Sequence, residues 1–152
     1  MSSDEQPSEL PTSLSAGRVA EISEVIDRIT RWAQSREDVA GLLLVGSCAR
    51  NTARPDSDID VVLLTTDESL YLHEDAWAVE LKLNEPIRTR LWGAITERRY
   101  ATASGLEVEL CIGSPTWAKT NPVDRGTHRV VTDGAHVLHD PAGILAALLA
   151  TC

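Results

Sequence analysis

The 152-residue chain has no phenylalanine and only one methionine, so tryptophan, tyrosine and aliphatic side chains have to fill its core. Cysteine is scarce too. Cys48, Cys111 and Cys152 are odd in number, widely spaced and without a CxxC pair. That pattern argues against a disulfide framework and against a thiolate zinc site. His136 and His139 form the one close histidine pair and read as surface residues on a strand or turn. Positive charge is in deficit, 14 basic against 23 acidic residues for a net charge of −9. That balance argues against general binding to nucleic-acid backbone, which needs a basic stripe, but not against a small phosphate ligand carried with a divalent metal. No apolar run approaches the length of a membrane span, and the first residues lack a basic-then-apolar signal pattern. The expectation is a soluble, cytoplasmic protein with no membrane partner. Internal repeats are absent, and so is the GxxxxGK[ST] of a P-loop.

Residues 1–14, MSSDEQPSELPTSL, are polar, aperiodic and rich in Ser and Pro, and read as a disordered tail. Residues 15–152 read as one domain, a length sufficient for a sizeable core. Val19, Ile22, Val25, Ile26, Ile29 and Trp32 recur at helical spacing behind Ser15, a suitable N-cap. VAGLLLVG and DIDVVLLTT are short continuous apolar runs of the buried-strand kind. HEDAWAVELKLN suggests a short helix carrying Trp77. RTRLWGAITERRYATA reads as one long or bulged strand. Ser104–Gly105 then supplies a turn into LEVELCIG, where Leu106, Val108 and Leu110 alternate with Glu107, Glu109 and Cys111, a hairpin signal. HRVVTDGAHVLHD reads as two short strands about the Asp133–Gly134 turn. PAGILAALLA reads as a helix beginning at Pro141. Trp92 and Trp117 are expected in the core, although either has the shape to stack on a base.

Chemistry concentrates in GLLLVGSCARNTARPDSDIDVVLL. Asp58 and Asp60 project to the same side of a strand, because side chains alternate with period two. Two partly buried carboxylates side by side repel each other at a penalty of several kcal/mol. A hard divalent cation such as Mg²⁺, which prefers carboxylate and phosphate oxygens, removes that penalty. Just upstream, Gly46–Ser47 ends the preceding strand and opens a helix at SCARNTA. Glycine permits close approach of a ligand to backbone, and a helix start offers free N–H groups to phosphate.

GSCARNTARPDSDIDVVLL resembles the signature of the nucleotidyltransferase superfamily, which includes DNA polymerase beta, the kanamycin-type aminoglycoside nucleotidyltransferases and small stand-alone nucleotidyltransferases. The resemblance implies an α+β nucleotidyltransferase (polymerase beta-like) fold, with a mixed, mostly antiparallel sheet flanked by helices. It implies transfer of a nucleoside monophosphate from an NTP, with ATP the expected donor, to a hydroxyl acceptor with release of pyrophosphate. Asp58 and Asp60 would hold one or two Mg²⁺ ions. A third carboxylate should come from a strand beside the DxD strand, and Glu107 and Glu109 share the face from which it would come. Either would complete the metal shell or act as general base. Gly46 and Ser47 would grip the outer phosphates, with Arg50 and Arg54 as candidate added cations. Asn51 departs from a glycine frequent in the family, but asparagine tolerates the left-handed conformation.

The residues after the third-carboxylate strand are too few for the helical C-terminal domain of the antibiotic-modifying relatives. The acceptor half of the site is then missing, made by a homodimer or supplied by a partner protein. Three functions follow as alternatives. The first is transfer to a small molecule, and the second is an antitoxin-type enzyme that AMPylates a partner toxin. The third is a non-catalytic nucleotide-binding module. Lys119, Asp124, Arg125, Thr127 and Arg129 lie in a Pro- and Gly-punctuated stretch read as surface loop, within possible approach of base or acceptor.

Overall fold

A computed structural model describes residues 15–53 and 57–152. The tail expected over residues 1–14, and Arg54 in the loop ahead of Asp58, lie outside the described residues. The first helix, α1 (Ala16–Gln34), begins where Ser15 accepts from the Arg18 N–H at 3.1 Å, and it buries Ile22, Val25, Ile29, Trp32 and Ala33. Strand β1 (Val39–Val45) leads into a single helical turn, α2 (Gly46–Ala49), and strand β2 (Ile59–Thr65) follows. Two short helices follow: α3 (Glu68–His73) ends at the start of the stretch in which a helix was expected, and α4 (Ala76–Glu80), carrying Trp77, lies within it.

The segment read as one long strand is a hairpin. Strands β3 (Arg88–Trp92) and β4 (Ile95–Ala101) pair antiparallel, with Trp92 opposite Ile95. Gly93 takes φ 57°, the left-handed conformation that so tight a turn requires. Gly105, at φ 93°, turns β4 into β5 (Glu107–Gly113) as expected. A 3₁₀ turn (Pro115–Ala118) follows, then α5 (Arg125–Thr132), β6 (Ala135–His139) and α6 (Ile144–Thr151). Two expectations fail here. HRVV is helical rather than a strand, because the Asp124 carboxylate accepts from the Gly126 and Thr127 N–H groups and caps a helix start. The last helix begins at Ile144 rather than at Pro141. Gly143 is left-handed at φ 74°, and Asp140 accepts from the N–H groups of Leu145 and Ala146.

The strands form one six-stranded sheet in the order β3-β4-β5-β2-β1-β6. Only the β2–β5 pairing is parallel; the other four are antiparallel. Helices α1, α3 and α4 close one face. Trp32, Tyr71, Trp77 and Tyr100 meet there edge to face or tilted at centroid distances of 5.2–6.2 Å, supplying the aromatic bulk that phenylalanine would otherwise provide. The other face is covered by the 3₁₀ turn, α5 and α6 over Leu43, Val45, Val62 and Leu64. Leu145 comes so near Gly41 that a Cβ there would lie 2.9 Å from its Cδ1. This second cover stops short of β3 and β4, which leaves the sheet open beside β5.

Candidate active site

The sheet register assembles the site. One row across the strands reads Arg88, Arg99, Glu109, Asp60, Val45. The next reads Arg90, Glu97, Cys111, Val62, Leu43. The rows are two residues apart and so face the same way. Arg99, Glu109, Asp60 and Val45 of the first row and Glu97, Cys111 and Val62 of the second floor a cleft of about 700 Å³ on the uncovered part of the sheet. The β3–β4 turn, with Trp92 and Ile95, forms one wall, and Trp117, Lys119, Thr127 and Arg129 form the other. The stretch expected as surface loop therefore contributes a wall. Trp92 is not in the core; it is 61% exposed at the hairpin tip.

Asp58 lies one residue ahead of β2, and it joins Asp60 and Glu109 in a group whose carboxylate oxygens lie within 4.8 Å of one another. Glu109 is 5% exposed. Glu107, two residues earlier, stands outside that group, with its side chain 44% exposed and paired to Arg99 at 2.9 Å. The carboxyl of Asp60 is pushed up to about 7 by burial, then by Asp58 and Glu109, with Arg99 pulling it down. Burial and a hydrogen bond with Glu97 raise Glu109 as well, opposed by Arg99. Among the described residues no ion pair reaches Asp60. A partly buried, oxygen-only donor set with surplus negative charge fits a hard divalent cation. Cys111 also meets Glu97 and Glu109 within 4.8 Å. Burial raises its thiol, which keeps it a poor ligand for such a cation.

Gly46 has φ 75°, and a Cβ there would run into the Asp60 carboxylate. Glycine is thus required both for the turn out of β1 and for the approach of Asp60. The helix it opens is a single turn, and Asn51 closes the following bend at φ 57°. The Ser47 carbonyl accepts from the Thr52 N–H at 2.9 Å. The Cys48 thiol donates to the Asp58 carbonyl at 3.5 Å, tying this turn to the lead-in of β2. Gly46 and Ser47 are not among the residues that line the cleft, and neither is Arg50. Its stem lies against Gly134, where a Cβ would come 2.8 Å from the Arg50 Cγ.

The residue that sequence reasoning missed is Arg99. Its Nη1 donates to Asp58 Oδ2 at 2.6 Å and to Glu107 Oε1 at 2.9 Å, and its Nη2 donates to Glu109 Oε1. Burial works against its charge, and the hydrogen bonds to Glu107 and Asp58 outweigh it, so the group is held firmly cationic. Arg88 adds a second contact to Glu109 at 3.3 Å. The available signal was the Ser104–Gly105 turn. It pairs Ala101 with Glu107 and so brings Arg99, two residues back, opposite Glu109.

The chain matches the family described as nucleotidyltransferase domain over residues 24–107, more than half its length. It belongs to that family, a class of enzymes. No curated protein matches it. Among solved structures it is similar to a cytoplasmic RNA terminal U-transferase, with 16% identity, a TM-score of 0.50, and coverage of 66% of this chain and 31% of that one. It is also similar to the Cid1 poly(U) polymerase, with 17% identity, a TM-score of 0.48, and coverage of 65% and 32%. A third similarity is to an aminoglycoside 6-adenyltransferase from Bacillus subtilis, with 15% identity, a TM-score of 0.48, and coverage of 64% and 36%. The chain spans about a third of the length of these structures. At such identities the likeness concerns the fold alone; the α+β expectation, a mixed and mostly antiparallel sheet flanked by helices, agrees with the matched family and with the six-stranded sheet described above.

Proposed function

We propose that residues 15–152 act as one Mg²⁺-dependent nucleotidyltransferase unit that moves a nucleoside monophosphate from an NTP to a hydroxyl acceptor. The observation that carries this reading is the β2–β5 register, which sets Glu109 beside Asp60 in an open cleft with Asp58 one residue ahead of the strand. Asp58, Asp60 and Glu109 are the metal-holding residues. A cation bound there neutralises charge on the transferring phosphates. Gly46 and Ser47 present backbone and hydroxyl to the outer phosphates, and Lys119 and Arg129 supply cations from the opposite wall. The acceptor hydroxyl oxygen attacks the α-phosphorus, the bond to the β-phosphate bridging oxygen breaks, and pyrophosphate leaves. The hydroxyl proton passes to the Glu109 carboxylate. Trp92 and Trp117 are placed to flank the base.

ATP is the proposed donor and the cytoplasm the proposed setting, since NTPs are supplied there. No helix among the described residues is long and apolar enough to cross a membrane. A small hydroxyl compound is the acceptor proposed first. A partner protein is the second reading, favoured by the bare β3–β4 hairpin, where Leu91 is 80% and Trp92 61% exposed beside the cleft mouth. Isothermal titration with a non-hydrolysable ATP analogue, with and without Mg²⁺, tests the site. Binding that needs metal and disappears in D58A/D60A supports it, and no binding under either condition rejects it. AMP transfer to a free aminoglycoside supports the first acceptor, and AMP on a co-purified protein supports the second.

A further inference from the structure

We propose that Arg99 is a positioning residue that occupies the cation's place among the carboxylates until metal arrives. It then withdraws to Glu107, whose role is counter-ion to Arg99 rather than metal ligand. The inference rests on the metal-site reading above and assigns two residues that reading leaves without a task.

Three features carry it. The oxygens Arg99 holds belong to the metal group: Asp58 Oδ2 at 2.6 Å and Glu109 Oε1. A divalent cation and a guanidinium drawn to the same carboxylate oxygens repel each other, so the two occupancies compete. Second, the β4–β5 register puts Arg99 opposite Glu109. The guanidinium therefore cannot leave the neighbourhood and can only change partners. Glu107 is already in reach at 2.9 Å, outside the metal group and with an exposed flank. Third, the Arg99 Nε is buried with no hydrogen-bond partner among the described residues. An unmet donor of that kind is unfavourable, and a forked pair on Glu107 through Nε and one Nη would satisfy it. The present arrangement holds Asp58 and Glu109 without metal and already engages Glu107 through Nη1, leaving Nε as the donor still to be met.

The test is Mn²⁺ binding in the absence of nucleotide, read by titration calorimetry on wild type, R99Q, E107Q and R99Q/E107Q. R90Q serves as the charge control, since Arg90 neutralises Glu97 on the next row. R99Q should bind Mn²⁺ at least about five-fold tighter, because a competing occupancy has been removed. R90Q should change little. E107Q should weaken binding in the wild-type background and have no effect in the R99Q background. If R99Q does not remain folded without metal, R99K keeps the charge but not the fork and should also bind tighter. Unchanged or weaker binding in R99Q, or equal tightening in R90Q, overturns the inference. An E107Q loss of the same size in both backgrounds makes Glu107 a ligand and also overturns it. If neither wild type nor R99Q binds Mn²⁺, the metal-site reading falls together with this one. If wild type binds and R99Q matches it, only this one falls.

Discussion

Asp60 lies under Gly46 and beside Glu109, and its carboxyl titrates near 7 because burial, Asp58 and Glu109 all favour the protonated form. From about pH 4 to about pH 7 the folded chain holds a proton that the unfolded chain has released, so metal-free stability falls as pH rises through that window. Metal needs the ionised form, and Mn²⁺ affinity should accordingly rise through about pH 7 with a proton released on binding. Titration in two buffers of different ionisation enthalpy reads that proton. Asp60→Asn removes the charge and keeps the shape. Without metal at pH 8 it should melt above wild type, by on the order of 2 kcal/mol, and the gap should narrow towards pH 4. Its metal-dependent turnover should drop by about a hundred-fold or more. A D60N variant that melts lower at pH 8 would show that the buried charge is already compensated. Gly46→Ala forces a Cβ both into the left-handed region and onto Asp60. It should lose about 1–3 kcal/mol of stability and lose metal-dependent nucleotide binding even at temperatures where it remains folded.

The β3–β4 hairpin departs furthest from what its sequence suggests. RTRLWGAITERRYATA reads as one strand because both arms have strand-like composition and only Gly93 interrupts them. Whether such a glycine bulges a strand or reverses it depends on what the two arms pack against. Here β4 pairs with β5 and β3 is left bare on both faces, with all five of its residues exposed. Trp92→Ala should therefore change stability by no more than about 0.5 kcal/mol while weakening nucleotide binding, and a thermal melt beside an ATP-analogue titration separates the two effects. Helix α5 was illegible for a different reason. RVV and HVLH are both short apolar runs, and composition does not distinguish a helix from a strand at that length. The Asp124 cap decides the first as helix. By contrast α1, β1, β2 and the turn into β5 could be read directly: α1 from its long periodicity, β1 and β2 from apolar runs of strand length with polar or glycine boundaries, and the turn from Ser-Gly.

At the scale of the whole molecule, the sheet brings β5 against β2 although α3, α4, β3 and β4 intervene in the chain. That parallel pairing needs a long crossover, and it makes the site a property of the complete fold rather than of the motif. Ligand binding should therefore stabilise the molecule as a whole. Mg²⁺ with an ATP analogue at a hundred times its Kd should add about 2.7 kcal/mol and raise the melting midpoint by several degrees, a shift that D58A/D60A should not show. The sequence alone determined the family and half of the candidate site. Gly46–Ser47 and Asp58–Asp60 are local in the chain, and two partly buried carboxylates on one strand face repel each other unless a positive charge lies between them. Only the tertiary structure decided between Glu107 and Glu109 as the neighbour of Asp60, placed Arg99 on the carboxylates, and turned a presumed loop into a wall of the cleft. The reason is register: strand alternation tells which residues share a face, but which of them meets Asp60 depends on how one strand slides against another, and the whole sheet sets that.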